Sequence, residues 1–152
     1  MNITRQQHSL AIKQVVLRAE SAPSPAEDRQ GPPTILLVDD EDSLREVAKK
    51  ILRSHGYTVL EAMDGNTCLK IAQEYPGPIH LLVTDMFMPG MNGREVADHL
   101  VALRKRTKVL YMSGHSNEAI LNHCGLYPGI AFVHKPFNSD TLLRKVGESL
   151  RT

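Results

Sequence analysis

The stretch Thr34-Ile35-Leu36-Leu37-Val38-Asp39-Asp40-Glu41-Asp42 decides the fold. Its first part is apolar without alternation, as in a parallel strand covered on both faces. Four acids then follow at once. Leu44, Val47, Ala48, Ile51 and Leu52 next recur at i, i+3, i+4, i+7 and i+8, which predicts an amphipathic helix with those five residues inward and Gly56 as its stop. Asp42, directly ahead of that pattern, reads as the helix cap.

Outward from this unit the periods keep alternating. Strands are predicted over residues 57–60, 79–84, 108–112 and 130–133. Helices are predicted over 64–75 with Leu69 and Ala72 inward, around Val96, Leu100 and Leu103, more weakly over 118–124, and over 139–150 with Leu142, Val146 and Leu150 inward. Five strands alternating with five helices make an α/β, doubly wound parallel sheet joined by right-handed crossovers.

Residues 21–33, SAPSPAEDRQGPP, hold four prolines and no large apolar residue, a linker composition. Ahead of them, residues 4–20 fit one helix with Ile12, Val15, Val16 and Ala19 on a face. Such a lone helix is either a partly ordered arm or one that pairs with a partner. The expected organisation is therefore residues 1–33 as arm and linker, and 34–152 as one domain.

The chain has 152 residues, long enough to bury roughly 68–70 % of its unfolded surface without disulfides or metals as staples. Eighteen Lys and Arg against 17 Asp and Glu leave a net charge of +1, which lacks the one-signed excess of a nucleic-acid or membrane-surface binder. No apolar run approaches a membrane span, and the first residues lack a signal-peptide core. Cys68 and Cys124 have no metal or redox spacing and read as small helix residues. The seven histidines are scattered and make no zinc pattern. A cytoplasmic location is expected.

Ligand sites of open parallel sheets lie at the carboxyl ends of the strands. There the first strand delivers Asp39 and Asp40, the second only Glu61, the third Asp85, the fourth Ser113-Gly114-His115 and the fifth Lys135-Pro136-Phe137. Three carboxylates, a hydroxyl and a lysine thus meet on one edge. Crowded carboxylates favour a hard cation, and Mg²⁺ takes few protein ligands besides phosphate oxygens. A carboxylate can itself accept a phosphoryl group, with lysine and hydroxyl holding the phosphoryl oxygens.

Ile35-Leu36-Leu37-Val38-Asp39-Asp40-Glu41, the D-x-x-M-P-x-M-x-G run from Asp85 to Gly93, Tyr111-Met112-Ser113-Gly114 and Phe132-Val133-His134-Lys135-Pro136-Phe137 together resemble the receiver domain of two-component response regulators. The resemblance covers residues 34–152. It implies a flavodoxin-like sheet of strand order 2-1-3-4-5. It also implies that Asp85 is the phosphoacceptor, and that Mg²⁺ is bound by Asp40, Asp85 and the backbone carbonyl of Phe87, with Asp39 acting through a water. Ser113 would be the switch hydroxyl and Lys135 the phosphate contact, with a cis bond to Pro136. Phe132 would be the aromatic switch, the alternative being a permanently buried core ring. Phe87 and His115 would flank the path of the hydrolytic water.

By that resemblance the protein is not an enzyme beyond Mg²⁺-dependent self-phosphorylation from a phosphodonor and autodephosphorylation. The resemblance implies a phosphoprotein switch in a His-to-Asp phosphorelay. Its partners would be a histidine kinase or histidine phosphotransfer domain and a downstream protein bound through the helix at 118–124, the fifth strand and the last helix. A homodimer through the same surface is compatible with it. No DNA-binding or catalytic output pattern follows Lys135, and the arm resembles the junction ahead of the C-terminal receiver of a hybrid histidine kinase; a stand-alone receiver fits the same residues. Two rivals remain. Asp40-Glu41-Asp42 resembles the D-x-D of haloacid-dehalogenase-type phosphatases, but only Asp140 and Glu148 are left to supply that family's second acidic pair. A degenerate receiver acting as a scaffold would not need the full acidic, hydroxyl and lysine set.

Overall fold

The structure, a computed structural model, describes residues 31–114 and 130–152. The chain divides into two units, 1–31 and 32–152, and all described residues but Gly31 belong to the second. The expected helices at 4–20 and 118–124, with His115 and Cys124, lie outside the described residues.

Five strands are β1 (Thr34–Val38), β2 (Thr58–Ala62), β3 (Leu81–Asp85), β4 (Lys108–Ser113) and β5 (Phe132–His134). They form one parallel sheet in the order β2-β1-β3-β4-β5, as the receiver resemblance implies. Among the described residues the helices are α1 (Asp42–Ser54), α2 (Gly65–Glu74), α3 (Gly93–Leu103) and α4 (Ser139–Arg151). None of them is long and apolar enough to cross a membrane.

Successive side chains of a strand point to opposite faces, so the unbroken β1 run must feed two cores. Ile35 and Leu37 join Leu81, Val83, Leu110, Met112 and Val133 under Ala48 and Leu52 of α1 and Leu142 and Val146 of α4. Leu36 and Val38 join Leu82 and Tyr111 under Cys68 and Ala72 of α2 and Val96, Ala97 and Leu100 of α3. Burying each leucine fully contributes about 1.5–3 kcal/mol relative to leaving it exposed, so these layers dominate the favourable side of folding.

The helix boundaries follow their local chemistry. Gly56 takes φ 94°, a left-handed turn that glycine enters without a Cβ penalty, and its N–H donates to the Arg53 carbonyl. Asp64 accepts from the Thr67 N–H at 2.7 Å, Asn92 and Glu95 form a reciprocal capping box, and Asn138 accepts from the Thr141 N–H.

Three sequence expectations are corrected. Glu41, not Asp42, holds the cap position of α1, without a side-chain cap bond; Asp42 is the first helical residue, and its carboxylate accepts from Arg45. Val47 is 50 % exposed, because it lies 100° around the helix from Ala48, whose line with Leu52 faces the sheet. Leu103 is equally exposed: it has the right angular phase but sits in the last turn, beyond Leu100 where the core cluster ends. Strand limits shift by one or two residues, most at β2, β3 and β5.

Arg104, just past α3, was not singled out by the sequence. Its guanidinium donates to the carbonyls of Ala72, Tyr75 and Gly77 at 2.8, 2.5 and 2.8 Å, closing the end of α2 and the turn into β3. Replacing it by alanine leaves three carbonyls without that donor, and the protein is expected to lose about 2 kcal/mol in urea unfolding. A loss below about 0.5 kcal/mol would mean that water replaces the guanidinium at no cost.

Candidate acidic site at the strand ends

Because the strands are parallel, their carboxyl ends share one edge. Asp85 is the last residue of β3, Ser113 the last of β4, and Asp39 and Lys135 directly follow β1 and β5. The ladder pairs Asp85 with Met112 and Ser113 with His134. Beyond it, the Lys135 N–H donates to the Ser113 carbonyl at 2.8 Å and the Met86 N–H to the Met112 carbonyl at 2.9 Å. The backbone therefore fixes where each functional side chain starts.

Lys135 Nζ reaches back across the edge to Asp39 Oδ2 at 2.7 Å and Asp85 Oδ1 at 3.5 Å. The other oxygen of Asp39 accepts from the Glu41 N–H at 2.9 Å. Side-chain exposure is 1 % for Asp39, 11 % for Asp85 and 12 % for Lys135, so water screens these charges poorly. Asp39, Asp40 and Asp85 each offer a carboxylate oxygen within 4.8 Å of the others. That is a hard, all-oxygen donor set with a net negative charge, and it fits a small divalent cation. Glu61 takes no part: it lies inside β2 and pairs with Lys49 at 3.0 Å.

Burial pushes the Asp85 carboxyl up to about 6; Lys135 pulls it down, and the Asp39 and Asp40 charges raise it further. Burial alone would lower Lys135, but the Asp39 hydrogen bond and the neighbouring carboxylates outweigh it and raise its pKa.

Packing behind Asp85 leaves no slack. A Cβ on Gly93 would stand 2.3 Å from the Asp85 carbonyl oxygen and 2.9 Å from Met86 Cα, so only glycine lets α3 start there. The Gly93 N–H donates to the Met86 carbonyl at 2.8 Å, and Gly90 makes the turn at φ 79°. Met86 and Met88 are buried, and Phe87 is half-buried against the same core. Ser113 is fully buried. Phe132 is half-buried rather than sealed in, its ring edge-on to His134 with centroids 4.5 Å apart. The Lys135–Pro136 bond is cis.

All the expected side chains among the described residues thus stand at this edge or beside it. Two positioning residues were not read from the sequence. Gly93 was visible only as the last letter of a motif, and its reason is the backbone contact. Arg45 donates to the Asp39 carbonyl at 2.8 Å and to Asp42 at 2.7 Å; the i, i+3 spacing of Asp42 and Arg45 could have signalled the second bond, but nothing local signalled the first.

Residues 35–147 match the response regulator receiver domain family, to which the chain belongs. The chain is 33 % identical over 141 residues to sensor kinase CckA of Brucella abortus (88 % of this chain, 15 % of that protein) and 37 % identical over 109 residues to aerobic respiration control protein ArcA of Escherichia coli K12 (70 % and 43 %). It therefore spans less than half the length of either relative. Among solved structures it resembles the receiver domain from hybrid histidine kinase CckA, with TM-score 0.65 at 37 % identity over 77 % of this chain and 98 % of that one. It also resembles chemotaxis protein CheY4 of Vibrio cholerae, with TM-score 0.67 at 27 % identity over 78 % and 99 %.

The raised pKa of Asp85 fixes the sign of a pH effect. Its ordinary value is 3.8 and its folded value about 6, so the folded protein holds this proton more tightly than the unfolded chain. Without a divalent cation, this group's contribution to stability falls as pH rises from 4 to 6 and stays low above. Asp85→Asn removes the buried charge and is expected to stabilise the protein at pH 7.5 in EDTA by on the order of 2 kcal/mol, the gain vanishing near pH 4. Melting curves at both pH values check this; a variant less stable than wild type at pH 7.5 would contradict it.

Proposed function

We propose that the protein is the phosphoacceptor of a His-to-Asp relay and that Asp85 is the residue that takes the phosphoryl group. One observation carries the reading: Lys135 lies between Asp39 and Asp85 at the carboxyl edge, so a cation already waits where phosphoryl oxygens would arrive. Asp40 and Asp85 with the Phe87 carbonyl would hold Mg²⁺, Asp39 acting through a water. The ion supplies neutralisation of the charge on the transferred group.

Near neutral pH most of the Asp85 carboxyl, at about 6, is ionised, and the carboxylate oxygen attacks the phosphorus of a phosphohistidine. The new O–P bond forms as the P–N bond breaks, and its electron pair stays on the imidazole. Lys135 moves from Asp39 to one phosphoryl oxygen, and the Ser113 hydroxyl donates to another. The added charge of about −1.5 to −2 biases the domain between two states. Hydrolysis of the acyl phosphate by water resets it.

The donor would be a histidine kinase or phosphotransfer domain, and a receiver inside a hybrid kinase or one standing alone would work in the same way. For output, a groove of about 440 Å³ between β5 and α4 runs beside Phe132, with His134, Phe137, Thr141, Arg144 and Lys145 around it. Phe132 and Ser113 would change that surface on phosphorylation. A dehalogenase-type phosphatase is disfavoured by the geometry. Asp42 is tied to Arg45, and Asp140 and Glu148 lie on α4, Glu148 paired with Arg144. The intact acid, serine and lysine set speaks against a mere scaffold.

Acetyl phosphate with Mg²⁺ is expected to add one phosphoryl mass to the wild type and none to Asp85→Asn, with the circular dichroism of the two proteins equal. Undiminished labelling of the variant would move the acceptor elsewhere. No labelling of the wild type, and no spectral response to beryllofluoride, would favour the scaffold.

A further inference from the structure

The β1–α1 turn that presents both aspartates is held from outside by one side chain the relay chemistry does not use. Arg45, in the first turn of α1 and only 15 % exposed, sends Nη1 to the Asp39 carbonyl at 2.8 Å and Nη2 to Asp42 at 2.7 Å. The Asp39 carbonyl belongs to the peptide unit that joins Asp39 to Asp40, so its orientation sets the direction in which the Asp40 side chain leaves the chain. On the other side of that residue, the Asp39 N–H donates to Ala62 at the end of β2 at 3.2 Å. We propose that Arg45 is a positioning residue for cation binding: by clamping the Asp39–Asp40 peptide it holds the Asp40 carboxylate toward Asp39 and Asp85. This rests on the reading of the strand-end acids as a Mg²⁺ site.

The alternative roles of Arg45 differ in sign, which makes the inference testable. A guanidinium near three carboxylates repels an arriving dication, so if Arg45 mattered only through its charge, its removal would tighten Mg²⁺ binding. If it only stabilised α1, removal would lower the melting temperature and leave the affinity alone. A clamp predicts weaker binding despite the lost repulsion. Lysine keeps the charge but has one ammonium in place of a planar fork, and it cannot span the Asp39 carbonyl and the Asp42 carboxylate as Arg45 does.

The experiment titrates the full chain with MgCl2 by calorimetry for wild type, Arg45→Ala, Arg45→Lys and Asp42→Ala, and records labelling rates with acetyl phosphate and melting curves. Arg45→Ala and Arg45→Lys are expected to bind Mg²⁺ about tenfold more weakly, the low end of what partners of metal ligands contribute, and to label more slowly. Asp42→Ala, which leaves the bond to the Asp39 carbonyl in place, is expected to stay within about twofold of wild type. If Arg45→Ala fails to fold, Arg45→Lys carries the test. Equal or tighter Mg²⁺ binding in the folded Arg45 variant overturns the inference. A wild type that neither binds Mg²⁺ nor labels overturns the reading beneath it instead.

Discussion

The ion group of Lys135, Asp39 and Asp85 is the interaction on which the rest of the site depends. Two nearly buried carboxylates and a nearly buried ammonium would each be costly alone. Together they leave the pocket with more negative than positive charge, since Asp40 adds a third carboxylate. The pocket is therefore still short of positive charge. Burial lifts Asp85 to about 6 against the pull of Lys135, with smaller upward pushes from the Asp39 and Asp40 charges. An arriving cation would neutralise that excess negative charge.

The backbone makes such a site possible. Lys135 and Asp39 are far apart in sequence and meet because β5 and β1 end on the same edge of a parallel sheet. Each starting point is tied down: Lys135 through the Ser113 carbonyl, Met86 through the Met112 carbonyl, Asp39 through Ala62 and Arg45. Gly93 lets α3 approach the Asp85 carbonyl, where any side chain would collide. The two cores on either face of the sheet supply the stiffness, and the ends of the strands supply the chemistry.

Much of this was legible in the sequence because it rests on period and order. The unbroken β1 run predicted burial on both faces, and both cores use it. The acids, serine and lysine fell at successive strand ends, which a parallel sheet must gather. What stayed hidden depends on angles and on backbone atoms. Val47 and Ala48 are neighbours in an apolar pattern, yet 100° of rotation exposes one and buries the other. Asp42 looked like a cap and became the partner of Arg45. Arg45, Arg104 and Gly93 act on carbonyl groups, which carry no side-chain letter to pair with. Their partners appear only once the chain is folded.

Membership of the receiver family places the chain among two-component signalling domains, and the proposed mechanism rests on the pocket's charge pattern. Its central claim is that Lys135 changes partner when a phosphoryl group occupies Asp85. The most direct measurement is a crystal structure of the protein with Mg²⁺ and beryllofluoride. The account predicts beryllium on an Asp85 carboxylate oxygen, with Lys135 Nζ withdrawn from Asp39 and in contact with fluoride. Beryllium bound to another residue, or Lys135 still on Asp39 with the mimic in place, would contradict it.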